Sequence, residues 1–432
     1  MTSSTQRTPI KRAIGQPENL NSWESTPDLL VCPDASLGDI LMTFRSRKRG
    51  PFVAHLDTAA LAPDRRTFLK TLGTATVALG ARAEAQAPAP RPRLGLDMFS
   101  VGIQNWTPFQ QMDFAVKWNV KMVHFSEIRF LGSPDWKVAL DPANLKRIRA
   151  RADELDLDVE IGMRSICPTS GTFDAAQGTA EDQLSRMVDA AKIVRSPIVR
   201  CVLGSQADRR GGIEKHIDAT VRVLKNTRSK IMDAGLKVAI ENHAGDMQAR
   251  ELKGLIETAG REYVGVCIDS GIAVWTIEDP HLTLETLAPY VETSHVRDSY
   301  VFNSPQGTAV QWCRAGEGNI GIGDWIGKYV THCPGKAVSL EVIVSGSPRI
   351  FNYRDPQAWE IFRTTPAWEF ARFLALCDQG TPRPLPPPPQ GRAGGAGGGG
   401  RGAGPNPEAQ KRNQEDVEAS LTWTASQLRS LG

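Results

Sequence analysis

Between about residue 94 and residue 378, eight short apolar runs alternate with amphipathic stretches of helical period. The runs are 96–103 (LDMFSVGI), 120–126 (VKMVHFS), 157–163 (LDVEIGM), 197–203 (PIVRCVL), 236–241, 263–269, 291–297 and 337–344. Runs this apolar suit strands covered on both faces. Strands separated by helices pair in parallel, each helix crossing back over the sheet. Helices are expected from Pro142, with Asp141 as the N-cap, and over Ala180 to Val194, Gly212 to Ala234, Trp325 to Cys333 and Pro366 to Cys377. Eight such units predict a (β/α)8 TIM barrel over 94–380, an α/β fold. The rival is an open doubly wound sheet. No Gly-x-Gly-x-x-Gly follows the first run, which counts against the dinucleotide-binding version of that fold.

Both flanks differ from this middle. Residues 1–63 are polar and Pro-containing and read as a disordered leader. Residues 64–90 resemble a twin-arginine signal: Arg65 and Arg66 precede Phe68-Leu69-Lys70, a weakly apolar Ala/Thr/Gly run follows, and Ala83-Glu84-Ala85 forms a cleavage-like triplet. The expected partner is the twin-arginine export machinery, and the expected location is periplasmic or otherwise exported. The apolar run is too short for a permanent membrane span. Residues 381–407 are a Pro/Gly-rich linker, and 408–432 read as a C-terminal helix with Val417, Leu421, Ala425 and Leu428 on one face. Net charge is +3, which calls for no nucleic acid. The seven cysteines are scattered without a CxxC, and Cys201 and Cys267 read as buried thiols.

Four of the later runs break the apolar rule near their C-terminal ends. VAIEN carries Glu241, VGVCIDSG carries Asp269, VETSHVRDS carries His295 and AVSLEV carries Glu341. An unpaired buried charge is costly, so four breaches at matching positions imply a shared purpose. In a barrel these strand ends form the active face, and adjacent strands lie about 5 Å apart. Three carboxylates and one imidazole gathered there suit one divalent metal ion: Mn, Co, Mg or Zn.

The ordered set AIENH, CIDSG, HVRD and SLEV resembles the xylose-isomerase-like barrel superfamily. Within it, the chain is most similar to the sugar phosphate isomerase/epimerase group, and Gly316-Glu317-Gly318-Asn319-Ile320 followed by Asp324-Trp325 also looks like that group's loop into the seventh helix. The resemblance spans roughly residues 94–378. It implies metal ligands at Glu241, Asp269, His295 and Glu341, with Glu241 and Glu341 doubling as acid/base groups. Two features depart from the family. Ile272 stands where epimerases usually carry a histidine, and no Asp-x-His pair follows His295. The second departure counts against a DNA-repair nuclease.

Such a site fits isomerisation or epimerisation of a sugar or keto-sugar through an enediolate, one carboxylate removing a carbon-bound proton and another returning it. The same enolate losing a β-hydroxyl makes a lyase or dehydratase acting on a keto-sugar or inosose. A non-catalytic carbohydrate-binding barrel is the alternative from another class. Candidate substrate-binding groups on the rim are Trp106, His124, Glu127, Arg164, His243 and Arg297. The expected partner molecule is a small sugar, and a homo-oligomer is left open.

Overall fold

The computed structural model describes residues 92–344, 346–382 and 406–431. The leader, the twin-arginine-type segment and nearly all of the Pro/Gly linker lie outside the described residues.

Eight strands form one parallel sheet: β1 (Leu94–Asp97), β2 (Met122–Phe125), β3 (Asp158–Ser165), β4 (Ile198–Val202), β5 (Lys237–Glu241), β6 (Val264–Asp269), β7 (Val291–His295) and, after two further strands described below, β10 (Val338–Leu340). Each pairs with its sequence neighbour, and β10 returns to β1 through Leu94↔Val338 and Leu96↔Leu340. The ring is completed between β7 and β10 at the bridge Val296↔Leu340. Val296 N donates to Ser339 O at 2.7 Å and Glu341 N to Val296 O at 3.1 Å. This is a TIM barrel, nearly closed, with its last seam backbone-paired at that one bridge.

Helices wrap the barrel: α1 (Pro108–Lys117), α2 (Pro142–Glu154), α3 (Ala180–Val194), α4 (Glu214–Asp233), α5 (Ala249–Ala259), α6 (Pro280–Leu287), α7 (Ile322–His332) and α8 (Ala367–Gln379). Their starts obey local chemistry. Asp141 accepts from the backbone of Ala143 and Asn144 ahead of Pro142, and Thr107 makes a capping box with Gln110. Strand side chains alternate between two apolar layers. Val199, Cys201, Val238, Ile240, Val264 and Val266 belong to the main core, whereas Ile198, Ala239 and Cys267 form a separate small cluster on the alternate face. Cys167, Cys201, Cys267, Cys333 and Cys377 are buried free thiols.

The structure differs from the expected element pattern in two places. The first strand ends at Asp97, and Met98–Gln104 form a 3-10 turn rather than strand. The run LDMFSVGI is apolar enough for a strand, but Met98 and Val101 are both buried at a spacing of three, the period of a 3-10 helix. Ser100 ties that turn to the last strand: Val342 N donates to its Oγ at 2.8 Å. Second, the segment after β7 is a hairpin, β8 (Asp298–Ser304) and β9 (Gly307–Cys313), turning at Gly307 with φ 128°. With β11 (Arg349–Phe351) it makes a three-stranded antiparallel sheet in the order β11-β9-β8.

The C-terminal helix α9 (Pro407–Leu431) packs back on the barrel. Val417, Leu421 and Leu428 are buried, and Asn413 Nδ2 donates to Ser100 O at 2.9 Å. Among the described residues no helix is long and apolar enough to cross a membrane.

Candidate metal centre

Glu241, Asp269 and His295 are the last residues of β5, β6 and β7, and Glu341 directly follows β10. Parallel pairing sets Asp269 opposite His295. One ligand-type atom from each of the four lies within 4.8 Å of every other, and all four residues are buried. His295 Nδ1 is 2.9 Å from Glu241 Oε2 and 3.0 Å from Glu341 Oε2. Neither contact is aligned as a hydrogen bond, so Nδ1 has no partner, and neither has Glu241 Oε1.

Each carboxylate is anchored on its other side. Arg200, in mid β4, donates to Glu241 Oε2. Arg297, just past β7, donates through Nε to Asp269 Oδ2 at 2.9 Å and through a terminal nitrogen to Glu341 Oε2 at 2.8 Å. Asp269 Oδ1 accepts from Gly271 N at 2.8 Å and Ile272 N at 3.0 Å. Asn242 holds the Asp269 backbone through two bonds of 2.8 Å. The departure at Ile272 therefore leaves a backbone donor to the aspartate, with a buried apolar side chain.

Burial and charge pull these groups apart. Burial pushes the Glu241 carboxyl up, but Arg200 and His295 outweigh it and hold it well below the usual range. At Glu341 burial is likewise outweighed, by Arg297 and His295, and the net direction is down. At Asp269 burial wins over Arg297, and the carboxyl is pushed up to about 7. His295 is driven the other way from burial alone, raised well above the ordinary value by Cys267, Glu241, Asp97 and Glu341. A buried, electron-rich pocket of this kind holds either a proton on His295 or a cation among the same atoms. The orphaned Nδ1 and Oε1 fit a divalent ion bound by carboxylate oxygen and imidazole.

Behind His295 lies a second layer. His124 Nδ1 is 3.0 Å from His295 Nε2, and Asp97 Oδ2 is 3.9 Å from the same nitrogen. Burial, with His295 and Arg200, keeps His124 neutral, its pKa well below the ordinary value. The charge states make His295 Nε2–H the donor, which leaves Nδ1 facing the carboxylates. Glu160 completes the layer, accepting from Thr293 Oγ1 and pushed up by burial to about 7.

The remaining rim candidates divide. Arg297 is part of the centre. His124 touches it from behind, through His295 rather than from the rim. His243 is half-buried beyond Glu241, its Nδ1 2.9 Å from Gly204 O. Glu127 pairs with Arg129, and Arg164 is exposed at the end of β3. Neither is among the groups gathered around His295. Trp106 packs on Phe114 at 5.1 Å and lines an outer cavity with Gln110, Lys117 and Gln414. The early end of β1 explains its place: Asn105 turns the chain at φ 55°, and α1 starts after Thr107. Asp97 belongs to the inner layers as the last residue of β1, hidden by the longer strand expected there, and Glu160 and Arg200 belong to them from mid-strand positions. The signal that finds Glu160 and Arg200 is a charge inside an apolar run.

The model of the xylose isomerase-like TIM barrel family matches residues 115–359. The chain belongs to that family. It is similar to 3-oxo-isoapionate decarboxylase of Pectobacterium atrosepticum, 23% identical over 160 residues, 37% of this chain and 51% of that protein. It is also similar to the Escherichia coli protein YihM, 28% identical over 93 residues, 22% and 28% of the two chains. The matched stretch thus spans about half the length of the first relative and just over a quarter of the second. Among solved structures, the xylose isomerase domain protein of Planctomyces limnophilus has a TM-score of 0.45 at 17% identity, covering 58% of this chain and 91% of that one. D-psicose 3-epimerase of Clostridium cellulolyticum H10 has a TM-score of 0.45 at 10% identity, covering 65% and 95%.

Proposed function

We propose that this family member is a divalent-metal-dependent isomerase or epimerase of a sugar or keto-sugar, acting through an enediolate, with Glu241 and Glu341 as acid/base groups. The observation that carries the reading is the placement of these two glutamates on either side of His295 Nδ1, at 2.9 and 3.0 Å. A divalent ion held by Glu241, Asp269, His295 and Glu341 would supply Lewis-acid polarisation of the substrate carbonyl. The protein's own residues do the rest. Both glutamates are held as anions, so each starts as a proton acceptor. Glu341 is 5% exposed while the other three are at 0%, so it is the carboxylate on the accessible side and the better candidate for the first proton transfer. Arg200 and Arg297 fix the glutamates in place and lower their basicity. Proton removal from the carbon beside a carbonyl by one glutamate, and return by the other to the opposite face, inverts that carbon.

The likeness to a decarboxylase, whose loss of CO2 leaves an enolate, supports a lyase as the second reading; on the same site an enolate formed by proton removal that expels a β-hydroxyl as water would make a dehydratase. The twin-arginine-type segment favours an exported protein that meets free or glycosidic sugars rather than phosphorylated ones. Incubation of metal-loaded protein with ketoses, keto-glycosides and inososes in D2O tests the reading. Deuterium is expected at one carbon of one substrate class, and much less with Glu341→Gln. Absence of exchange in every substrate, with the metal bound, removes enolate chemistry.

A further inference from the structure

We propose that the guanidinium of Arg349, separated from the metal centre by the stacked rings of Trp312 and Trp275, is an oxyanion-binding subsite for an anionic sugar substrate: one bearing a carboxylate if the chain is exported, a phosphate if it is not. The proposal rests on the sugar-directed reading above.

Four side chains form a continuous stack leading away from the centre. Arg297, which holds Asp269 and Glu341, lies 4.5 Å from the ring of Trp312. Trp312 stacks on Trp275 with centroids 4.1 Å apart and planes 2° from parallel. Arg349 caps the far side of Trp275 at 4.3 Å. The stack draws on separate segments: Trp275 follows β6, Trp312 is on β9, and Arg349 opens β11 opposite Val310. Trp312 Nε1 donates to Gly271 O at 3.0 Å, which fixes its ring over the strand-six loop.

The two ends of the stack differ in one respect. The buried arginines Arg200, Arg209 and Arg297 each face a carboxylate, those of Glu241, Glu251 and Asp269. Among the described residues Arg349 has neither an ion pair nor a hydrogen bond. Burial lowers its pKa to about 10, so it stays charged at neutral pH. Arg349 is half-buried, and a guanidinium at a cavity wall without an anion is placed to take one. Its planar fork matches a carboxylate or phosphate edge with two parallel N–H···O bonds.

Space is kept for such a group. Arg349 lines a cavity of about 280 Å³ with Trp275, Gln206 and Asn352. Gly245, at φ +80°, runs close under Arg349: a Cβ there would stand 3.5 and 3.7 Å from the guanidinium nitrogens, ordinary contact distance. Gly245 lies four residues beyond Glu241. The same loop therefore carries a metal-centre glutamate at one end and passes under Arg349 at the other.

The test is equilibrium binding to the metal-loaded full chain, read by calorimetry, with three probes: methyl glucoside, glucuronate and glucose 6-phosphate. At least one charged probe is expected to bind tenfold or more tighter than the neutral one. Arg349→Gln is expected to erase that preference while leaving metal content and unfolding midpoint unchanged. The stronger of the two charged probes identifies carboxylate or phosphate. Equal binding of all three probes, or a preference that survives in Arg349→Gln, overturns the proposal. A second readout needs no variant. Arginine-selective dicarbonyl labelling, mapped by mass spectrometry, should spare Arg349 when the charged probe is present and not when the neutral one is. Labelling of Arg349 unchanged by charged probes also overturns it. Neither readout depends on turnover, so failure here is separable from failure of the deuterium-exchange experiment.

Discussion

His124 Nδ1 sits 3.0 Å from His295 Nε2, so the imidazole facing three carboxylates is held from behind by a second imidazole. The His124→Leu variant removes the acceptor that orients His295. Metal affinity is expected to fall roughly 10- to 100-fold, the usual effect of losing such a partner. Competition with a chelator of known affinity measures it. An unchanged affinity would show that His295 is positioned by the barrel alone.

Arg200 and Glu241 form an ion pair inside the barrel, both buried. The Arg200→Met variant leaves the buried Glu241 carboxylate with His295 as its remaining cationic neighbour. Unfolding in urea should show a loss of roughly 3–5 kcal/mol without metal. Divalent ion should recover part of that loss, because the freed Glu241 oxygen gains a cation. Equal losses with and without ion would place Glu241 outside the metal's reach.

Away from the centre, Glu278 is buried between Ala249 N and Thr283. Burial, only partly offset by those hydrogen bonds, raises its pKa from 4.5 to about 7. The folded state then holds the proton more tightly than the unfolded chain. Its contribution to stability is fully present below about pH 4.5 and is lost as pH rises to about 7, at roughly 1.4 kcal/mol for each pH unit between those values. The Glu278→Gln variant should flatten the fall of thermal midpoint with pH across that window. A slope identical to the parent would contradict the assignment.

The C-terminal helix is predicted to be part of the folded unit. Leu421 is 1% exposed, and Leu421→Ala should cost roughly 2–5 kcal/mol in denaturant unfolding. Trp423 lies against Gly316, where an added Cβ would collide with the indole, so Gly316→Ala should also destabilise. A Leu421→Ala loss of only a few tenths of a kcal/mol would mean that α9 rests loosely on the surface.

The legible part of this site lies at strand ends. Glu241, Asp269, His295 and Glu341 stand out because each closes an apolar run where a charge is otherwise costly. Arg200 and Glu160 carry the same signal in mid-run, where attention to strand ends overlooks them. Asp97 hides because LDMFSVGI reads as one strand, while a buried 3-10 turn takes over after its second residue. The stack of Arg297, Trp312, Trp275 and Arg349 has no local signature at all. It arises only when the hairpin β8–β9 and strand β11 pair, a long-range event that periodicity cannot register. Trp106 shows the converse: its aromatic ring after the first strand suggests a sugar wall, and past a left-handed Asn105 it packs half-buried on Phe114.

The most direct test of the account is the divalent metal content of the purified chain, compared with that of the Glu241→Ala, Glu341→Ala double variant. One ion per chain in the parent, lost in a double variant that still unfolds cooperatively, is the predicted result. A parent that binds no divalent ion at saturating concentration, or a double variant that binds it equally well, would contradict the claim that these side chains share one cation.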